Sequence, residues 1–338
     1  MAVFLESKWH GHYYVREGGR MARLRNIAMV IICVSLLVSC STTASTGNGT
    51  LPNHRIYTEE GLLSLHFFGL HELGIKNGES TLIITPKGKT ILVDAGYARD
   101  HALVSTLIRN TGATHLDYVL FTHFHGDHTG DFERLSDDFS IGRLLLIDFP
   151  LLQGTSASLR QSILIEAEEK GIPYQYVVQS NQLEVEEGLY LFFLNPEESL
   201  SYDASVVDDR TRSVFENNHS LVFQLTYRDN TFLFAGDIYK ETEYELIDRY
   251  GDLLKSDLLK VPHHGLSTSS SSLFLMSVQP QVNIVCSGEP TYSTLDSLRY
   301  RAQTLTTVAY GTIVVTSDGS ELTIEAEHED RTNGVYGQ

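Results

Sequence analysis

The residues THFHGDH (122–128) directly follow an apolar run that predicts a buried strand. A strand that ends here would place the polar side chains of the next loop at one rim of a sheet. His123 and His125 alternate, so in extended backbone they point the same way and can chelate one ion. Asp127 and His128 come after a glycine has turned the chain, so they can face a second ion about 3.5–4 Å away. Imidazole beside carboxylate is typical of zinc-like sites, and the pattern favours a metal centre over a histidine-rich surface loop.

The spacing His-x-His-x-Asp-His after a strand resembles the signature of the metallo-β-lactamase-fold hydrolases, a superfamily of mostly dinuclear metal enzymes. The resemblance implies a full set of ligands for two ions. One ion is expected at His123, His125 and His219, the other at Asp127, His128 and His264, with Asp237 as the bridge.

Three of these assignments depend on residues outside the loop, and the first two are Asp237 and His219. Asp237 ends a predicted strand, where the superfamily has its bridging carboxylate; on its own this would be a common turn, but a dinuclear site needs an anionic bridge to offset two dications. His219 begins a strand eighteen residues earlier, about where the superfamily has a third histidine for the first ion. The alternative for His219 is an ordinary loop histidine beside an acidic segment.

Adjacent histidines in Pro262-His263-His264-Gly265 resemble the superfamily's last ligand motif. Aligned on the final His-Gly, His264 is the ligand, and His263 lies beside the metals, where it could contact or protonate a leaving group. The spacing leaves the reverse assignment open. Asp94 ends a predicted hairpin strand and would ordinarily cap the next helix. By the resemblance it instead orients the histidine loop from behind the ligands.

Strand and helix patterns alternate along the chain in two similar halves. Turn chemistry at 86–89, 228–230 and 318–319 predicts three hairpins. The polar, acidic stretch 196–216 is predicted to be a long surface loop bordering the site. Helices alternating with hairpins fit a four-layer αββα sandwich of the α/β class, predicted as one domain over residues 57–330 with a short tail over 331–338.

The first forty residues predict a secretory signal, because three arginines precede an apolar run of about a dozen residues. That run is too short to span a bilayer, which needs roughly 20 residues. It ends in LVSC, which resembles a bacterial lipobox, so Cys40 is expected to carry a lipid and Met21 to be the true start. Small polar residues over 41–56 predict a flexible tether. We therefore expect an exported protein anchored to a membrane of the bacterial cell envelope.

The charge and cysteine content limit the class of protein. The formal charge of −18 disfavours tight non-specific binding of nucleic acid, which needs clustered lysine and arginine. Of three cysteines, Cys33 lies in the apolar run and Cys40 is the expected lipid site. The remaining Cys286 cannot form an internal disulfide and is predicted to be a buried small hydrophobic residue.

Four further segments resemble the hydrolase domain of the DNA-uptake protein ComEC and its soluble relatives. They are NNHSLV (217–222), FAGD (234–237), LKVPHHG (259–265) and GTIVVTSDG (311–319). The sequence departs from that branch twice. Glu79 stands where the branch usually has aspartate, and His219 fills a position where it often lacks a ligand histidine.

The resemblance implies a hydrolase with two divalent ions, zinc by first choice and Mn²⁺ by second, and the amino-terminal signal predicts that it is exported. A hydroxide bridging the ions would attack an ester centre. A phosphodiester or another small molecule is the expected substrate, and lactones, β-lactams and thioesters stay open. The alternatives are a ComEC-like nuclease and a surface lipoprotein that binds metal without turnover.

Overall fold

The computed structural model describes residues 7–9, 12–17, 20–23, 61–70, 78–148, 154–198, 209–286 and 289–331. The apolar run of the predicted signal, the predicted lipid site Cys40 and the predicted tether lie outside these residues, as does the tail beyond Arg331. Within the described part of the chain, none of the helices combines the length and the apolar character that a bilayer crossing requires.

The chain separates into two units, residues 1–54 and 55–338. In the first unit, three short strands form an antiparallel sheet: β1 (Ser7–Trp9), β2 (His12–Glu17) and β3 (Arg20–Arg23). Two of the arginines predicted to begin the signal, Arg20 and Arg23, lie in β3.

The second unit contains two large mixed sheets. Its first eight strands are β4 (Leu63–Phe67), β5 (Thr81–Ile84), β6 (Thr90–Val93), β7 (His115–Leu116), β8 (Tyr118–Leu120), β9 (Ser140–Ile141), β10 (Leu144–Leu146) and β11 (Tyr174–Tyr176). The remaining strands are β12 (Gln182–Glu186), β13 (Leu189–Asn195), β14 (Val222–Tyr227), β15 (Asn230–Phe234), β16 (Leu258–Lys260), β17 (Val282–Val285), β18 (Gln303–Thr306), β19 (Ile313–Ser317) and β20 (Leu322–Ala326).

The two sheets share one plan, in which antiparallel strands continue into a parallel set. The eight-stranded sheet has the order β11-β10-β8-β6-β5-β4-β19-β20, and β6, β8, β10 and β11 run parallel. The seven-stranded sheet has the order β12-β13-β14-β15-β16-β17-β18, and its last four strands run parallel. Strands β7 and β9 form a separate parallel pair.

Helices cover the outer faces of both sheets. They are α1 (His101–Asn110), α2 (Gly126–Thr129), α3 (Phe132–Asp138), α4 (Thr155–Glu169), α5 (Asp209–Asn218), α6 (Lys240–Tyr250), α7 (Ser272–Val278), α8 (Tyr292–Arg299) and α9 (Thr307–Tyr310). Val104 and Ile108 of α1 and Ile163 of α4 pack into the core cluster that includes the first sheet. Leu246 of α6 and Phe274 of α7 pack with the second sheet in another cluster.

Aromatic side chains join the two sheets face to face. Phe67 of β4 stacks against Phe234 of β15 with ring centroids 6.1 Å apart, and Phe234 stacks in turn on Phe223 of β14 at 4.8 Å. Each ring is almost fully buried, and burying a phenylalanine side chain contributes roughly 1.5–3 kcal/mol. The arrangement of helix, sheet, sheet and helix confirms the predicted four-layer αββα sandwich.

One segment differs from the prediction in a way that matters for the site. The acidic stretch predicted to be a loop contains α5, and Phe215 of this helix packs against the main core. The helix was not recognised because polar and charged residues outnumber its apolar ones, which hides the helical period. Tertiary packing, rather than a clear amphipathic pattern, accounts for the helix here.

Candidate metal centre

Four polar segments meet where parallel strands of the two sheets end. Asp94 follows β6, the histidine loop follows β8, Asp237 follows β15, and the turn Pro262–Gly265 follows β16. The carboxyl ends of parallel strands lie at the same edge of a sheet, which is where ligands bind in open α/β sheets. The topology therefore brings together residues that are more than a hundred positions apart in sequence.

Asp237 lies at the centre of the cluster. Its Oδ2 atom is 3.3 Å from Nε2 of His128, 3.3 Å from Nε2 of His264 and 4.0 Å from Nε2 of His123. Asp127 Oδ2 lies 3.6 Å from the same His264 nitrogen. The donor atoms of His123, His128 and Asp237, and those of Asp127, His128 and His264, are close enough to share an ion.

The backbone before Asp237 requires glycine. Gly236 has a φ of +52°, and a Cβ atom at this position would lie 2.6 Å from the Cβ of Ser220. Glycine adopts this left-handed conformation without a steric penalty. It therefore lets the chain turn tightly and place Asp237 between the histidines.

Hydrogen bonds from behind the ligands set the direction of each imidazole. His128 Nδ1 is 2.8 Å from Asp94 Oδ2, and His264 Nδ1 donates to the carbonyl of Cys286 at 2.9 Å. The Thr122 hydroxyl donates to Asp94, so it accepts from Nδ1 of His123 at 3.1 Å. In all three rings the bonded Nδ1 directs Nε2 at the cluster, and the neutral ring would present its lone pair there.

Asp94 lies beneath the histidine loop and not at a helix start. Its side chain is completely buried, and its two oxygens accept from the backbone N–H and the hydroxyl of Thr122 at 2.7 and 2.8 Å. Asp94 itself has a φ of +58°, an unusual conformation for a residue other than glycine. These contacts tie the end of β6 to the loop that follows β8.

The cluster fits metal ions because several of its buried polar atoms are unsatisfied. Nε2 of His123, His128 and His264 and Oδ1 of Asp237 form no hydrogen bond of acceptable geometry within the described residues. Buried polar atoms almost always have a partner, and an unsatisfied one costs about 1–3 kcal/mol. Imidazole nitrogens and carboxylate oxygens arranged in this way are the donor set of zinc-like ions.

The pKa values of two histidines in the cluster also indicate a metal site. Burial disfavours the charged form of His264, but the Asp237 carboxylate, with Asp127 and Glu79, raises the pKa of this ring to about 10. Burial is likewise outweighed at His128, where Asp237 and Asp94 raise the pKa well above its usual value. The metal-free cluster therefore holds protons that an ion has to displace.

Metal binding at pH 8 is accordingly expected to release at least about one proton per chain, because His264 is protonated below pH 10 and must be neutral to bind an ion. Calorimetric titration with Zn²⁺ in buffers of different ionisation enthalpy measures this number. His264→Gln should reduce it, whereas His101→Gln, which alters a histidine paired with Asp138, should leave it unchanged. Zinc binding without proton release would contradict the assignment.

The structure also separates the adjacent histidines. His264 enters the cluster, whereas the half-buried His263 lies at its rim, with its Nδ1 2.6 Å from the Thr268 hydroxyl. The ring of His263 stacks on Tyr239 with centroids 4.7 Å apart. Both histidines have positive φ angles, 47° and 53°. Such strained backbone is found mainly at functional sites.

His219, which was predicted to bind the first ion, belongs to none of the clustered ligand groups found among the described residues. Its backbone N–H and its Nδ1 both bond to the carbonyl of Phe215, at 3.2 and 2.6 Å. The ring packs on Phe215 with centroids 4.1 Å apart. The turn that ends α5 therefore folds His219 back on the helix, with its Nδ1 on the Phe215 carbonyl.

His125 lies beside His123, with ring centroids 4.5 Å apart, and its Nε2 contacts a carboxylate. This nitrogen is 2.8 Å from Oε2 of Glu216, a residue of α5 that is only 3% exposed. Among the described residues, His125 is in none of the groups whose donor atoms are close enough to share an ion. Glu216 was not singled out in the sequence, because it lies in the segment predicted to be a loop.

A buried ion pair next to the cluster was also not predicted from the sequence. Lys260 Nζ lies 2.6 Å from Glu79 Oε1, and both side chains are at most 2% exposed. Burial opposes the charged form of Lys260, but the Glu79 carboxylate outweighs it and raises the pKa of the ammonium group. The other Glu79 oxygen is 3.4 Å from Nδ1 of His264. The unusual Glu79 was visible in the sequence, but its partner was not.

Several known proteins are similar to this chain. Residues 74–146 match the family model of the metallo-beta-lactamase superfamily. ComE operon protein 3 of Bacillus subtilis is 28% identical over 179 residues, 53% of this chain and 21% of that protein. Competence protein ComA of Neisseria gonorrhoeae is 24% identical over 210 residues, 62% and 25% of the two chains. A solved metallo hydrolase from Ignicoccus hospitalis is 14% identical with a TM-score of 0.41, covering 78% of this chain and 98% of that one.

The match over residues 74–146, together with the fold, shows a metallo-β-lactamase-superfamily domain in this chain. The similarity to the ComE and ComA competence proteins supports the ComEC-like branch of that superfamily. The chain spans a quarter or less of the length of these two relatives, with matched shares of 21% and 25%.

Proposed function

We propose that this protein is a dinuclear metal-dependent hydrolase that cleaves phosphodiesters. The observation that carries the proposal is the position of Asp237 Oδ2, within 4.0 Å of Nε2 of three buried histidines. His123 and His125 would hold one ion, Asp127, His128 and His264 the other, and Asp237 would lie between the two. When bound, the ions activate water and stabilise negative charge on the attacked oxygen.

The protein's own side chains keep this arrangement in place before substrate arrives. Asp94 and Thr122 hold two histidines by hydrogen bonds, and the Glu79–Lys260 pair lies against His264. Preorganised charge of this kind needs no rearrangement during the reaction. His263 would donate a proton to the leaving group from Nε2, since its Nδ1 is already bonded to Thr268.

Phosphodiesters are proposed as the substrate class because of the similarity to the ComEC-like proteins, and not because of the shape of a substrate pocket. Two of the similar curated proteins, ComE operon protein 3 and competence protein ComA, are competence proteins by name. The formal charge of −18 favours a small diester over a polynucleotide, because a strongly acidic protein repels a phosphate backbone. We also propose zinc as the resident metal, with Mn²⁺ as the second candidate.

Purified protein is expected to contain about two metal ions per chain and to hydrolyse bis-p-nitrophenyl phosphate. Chelation should remove the activity, and Zn²⁺ or Mn²⁺ should restore it. Asp127→Ala should abolish turnover, because it removes a carboxylate that lies 3.6 Å from His264 Nε2. Parallel assays with single-stranded DNA, a lactone, a thioester and a β-lactam test the other substrate classes. Two bound ions without turnover of any of them would favour a binding protein.

We further propose that the protein is exported and lipid-anchored, on the basis of the LVSC sequence that ends at Cys40. Labelling with a fatty-acid analogue in a bacterial host should mark the wild-type protein and not the Cys40→Ala variant. Equal labelling of both would contradict the proposal.

A further inference from the structure

Glu216 occupies an unusual place for a buried carboxylate. It lies on α5 beside the proposed metal site and is only 3% exposed. Its Oε2 atom accepts a hydrogen bond from the Ser156 hydroxyl of α4 at 2.6 Å and lies 2.8 Å from Nε2 of His125. Its other oxygen, Oε1, is buried and has no hydrogen-bond partner among the described residues. A buried charge is costly unless it has a specific partner, and His125 is the partner that this geometry provides.

The contact reverses the pattern seen in the other ligand histidines. His123, His128 and His264 are bonded through Nδ1 and direct Nε2 at the cluster. In His125 it is Nε2 that meets a carboxylate, so Nδ1 is the nitrogen left for an ion. A carboxylate accepts the proton of a neutral imidazole at the bonded nitrogen, which places the lone pair on the opposite side of the ring.

We propose that Glu216 is a positioning residue that holds His125 as the Nδ1-binding member of the site. The inference rests on the proposed metal centre and assigns to it a residue on a helix outside the histidine loop. Glu216 is anchored in turn by Ser156, so the orientation of His125 depends on the packing of α5 against α4. This arrangement predicts that metal affinity is sensitive to a carboxylate that does not itself bind the ion.

The test measures metal binding and needs no turnover. Co²⁺ is titrated into metal-free wild-type, Glu216→Gln and Glu216→Ala proteins, with a chromophoric chelator as competitor and the visible d–d bands as a second readout. Glu216→Ala should weaken one of the two sites by about 10–100-fold, the usual effect of losing a carboxylate that orients a ligand histidine. Glu216→Gln keeps an acceptor for the His125 N–H and should restore much of the affinity.

The spectrum distinguishes positioning from ligation. If Glu216 only orients His125, fully loaded Glu216→Ala protein should keep the wild-type band positions, since the ligand set is unchanged. If the bands shifted and Glu216→Gln and Glu216→Ala lost the same Co²⁺ affinity, Glu216 would be a ligand and the proposal would be overturned. Wild-type affinity in Glu216→Ala would overturn it too.

Glu186→Gln provides the matched control, because Glu186 is also buried and accepts a hydroxyl hydrogen bond, from Thr85 at 2.6 Å, but belongs to β12. The Glu186→Gln variant should bind Co²⁺ as tightly as the wild type. If it lost as much metal affinity as Glu216→Ala, the proposal would be overturned, because removing any buried charge would then have this effect. Failure of the metal centre itself would appear differently, as wild-type protein that binds no Co²⁺.

Discussion

Replacing Asp237 with asparagine is expected to reduce hydrolysis by at least about 10³-fold and to lower the metal content from about two ions per chain to about one or fewer. Asp237 Oδ2 is the one carboxylate oxygen within 3.3 Å of both His128 and His264 among the described residues. Asparagine keeps the volume but carries no charge to offset two dications. Metal content measured by mass spectrometry and initial rates with bis-p-nitrophenyl phosphate give the two quantities.

The matched control is Asp138→Asn, which removes a carboxylate paired with His101 and Arg109. This variant should bind metal and turn over substrate like the wild type, because the pair lies outside the cluster. If Asp237→Asn retained both ions and more than about a tenth of the activity, a bridging role for Asp237 in a two-metal site would be excluded.

Replacing Lys260 with methionine is expected to destabilise the folded protein by about 3–5 kcal/mol, because it leaves the Glu79 carboxylate buried without its counter-charge. Both side chains are at most 2% exposed, so water cannot compensate. Methionine has a similar length and apolar character, which limits the contribution of lost packing. Denaturant unfolding of metal-free protein gives the difference in the free energy of unfolding.

Two further variants separate the charge effect from a packing effect. Lys260→Met combined with Glu79→Gln removes both charges and should recover much of the lost stability, since a buried ion pair contributes little beyond matching its own desolvation. Lys170→Met removes a lysine that is 31% exposed and pairs with Asp137, and should cost no more than about 1 kcal/mol. A double variant no more stable than Lys260→Met would indicate lost packing as the cause.

The same pair should influence the metal site. Glu79 Oε2 lies 3.4 Å from His264 Nδ1, the nitrogen that donates to the Cys286 carbonyl. The effect on stability and the effect on metal affinity can therefore be measured in one set of variants, with the fold monitored by circular dichroism.

Several features of this protein follow from short stretches of its sequence. The run of β-prone residues before the loop, the alternation of His123 and His125, and the turn residues of the hairpins act over a few positions. Local geometry therefore sufficed to predict the fold class and the histidine loop, whereas Asp237 and His264 were predicted as ligands from the resemblance of short motifs to a known superfamily. Local geometry also sufficed to place Asp237 at a strand end.

Only the tertiary structure decided which distant side chains reach this loop. The choice between His263 and His264 depended on a strained turn, and the position of His219 depended on a helix whose apolar period is hidden among charges. The partnerships of Glu216 with His125 and of Lys260 with Glu79 join segments about ninety or more positions apart, whose spacing in sequence is unrelated to their distance in space. Such contacts are fixed by how helices and sheets pack, because a buried charge is stable only where that packing brings it a partner.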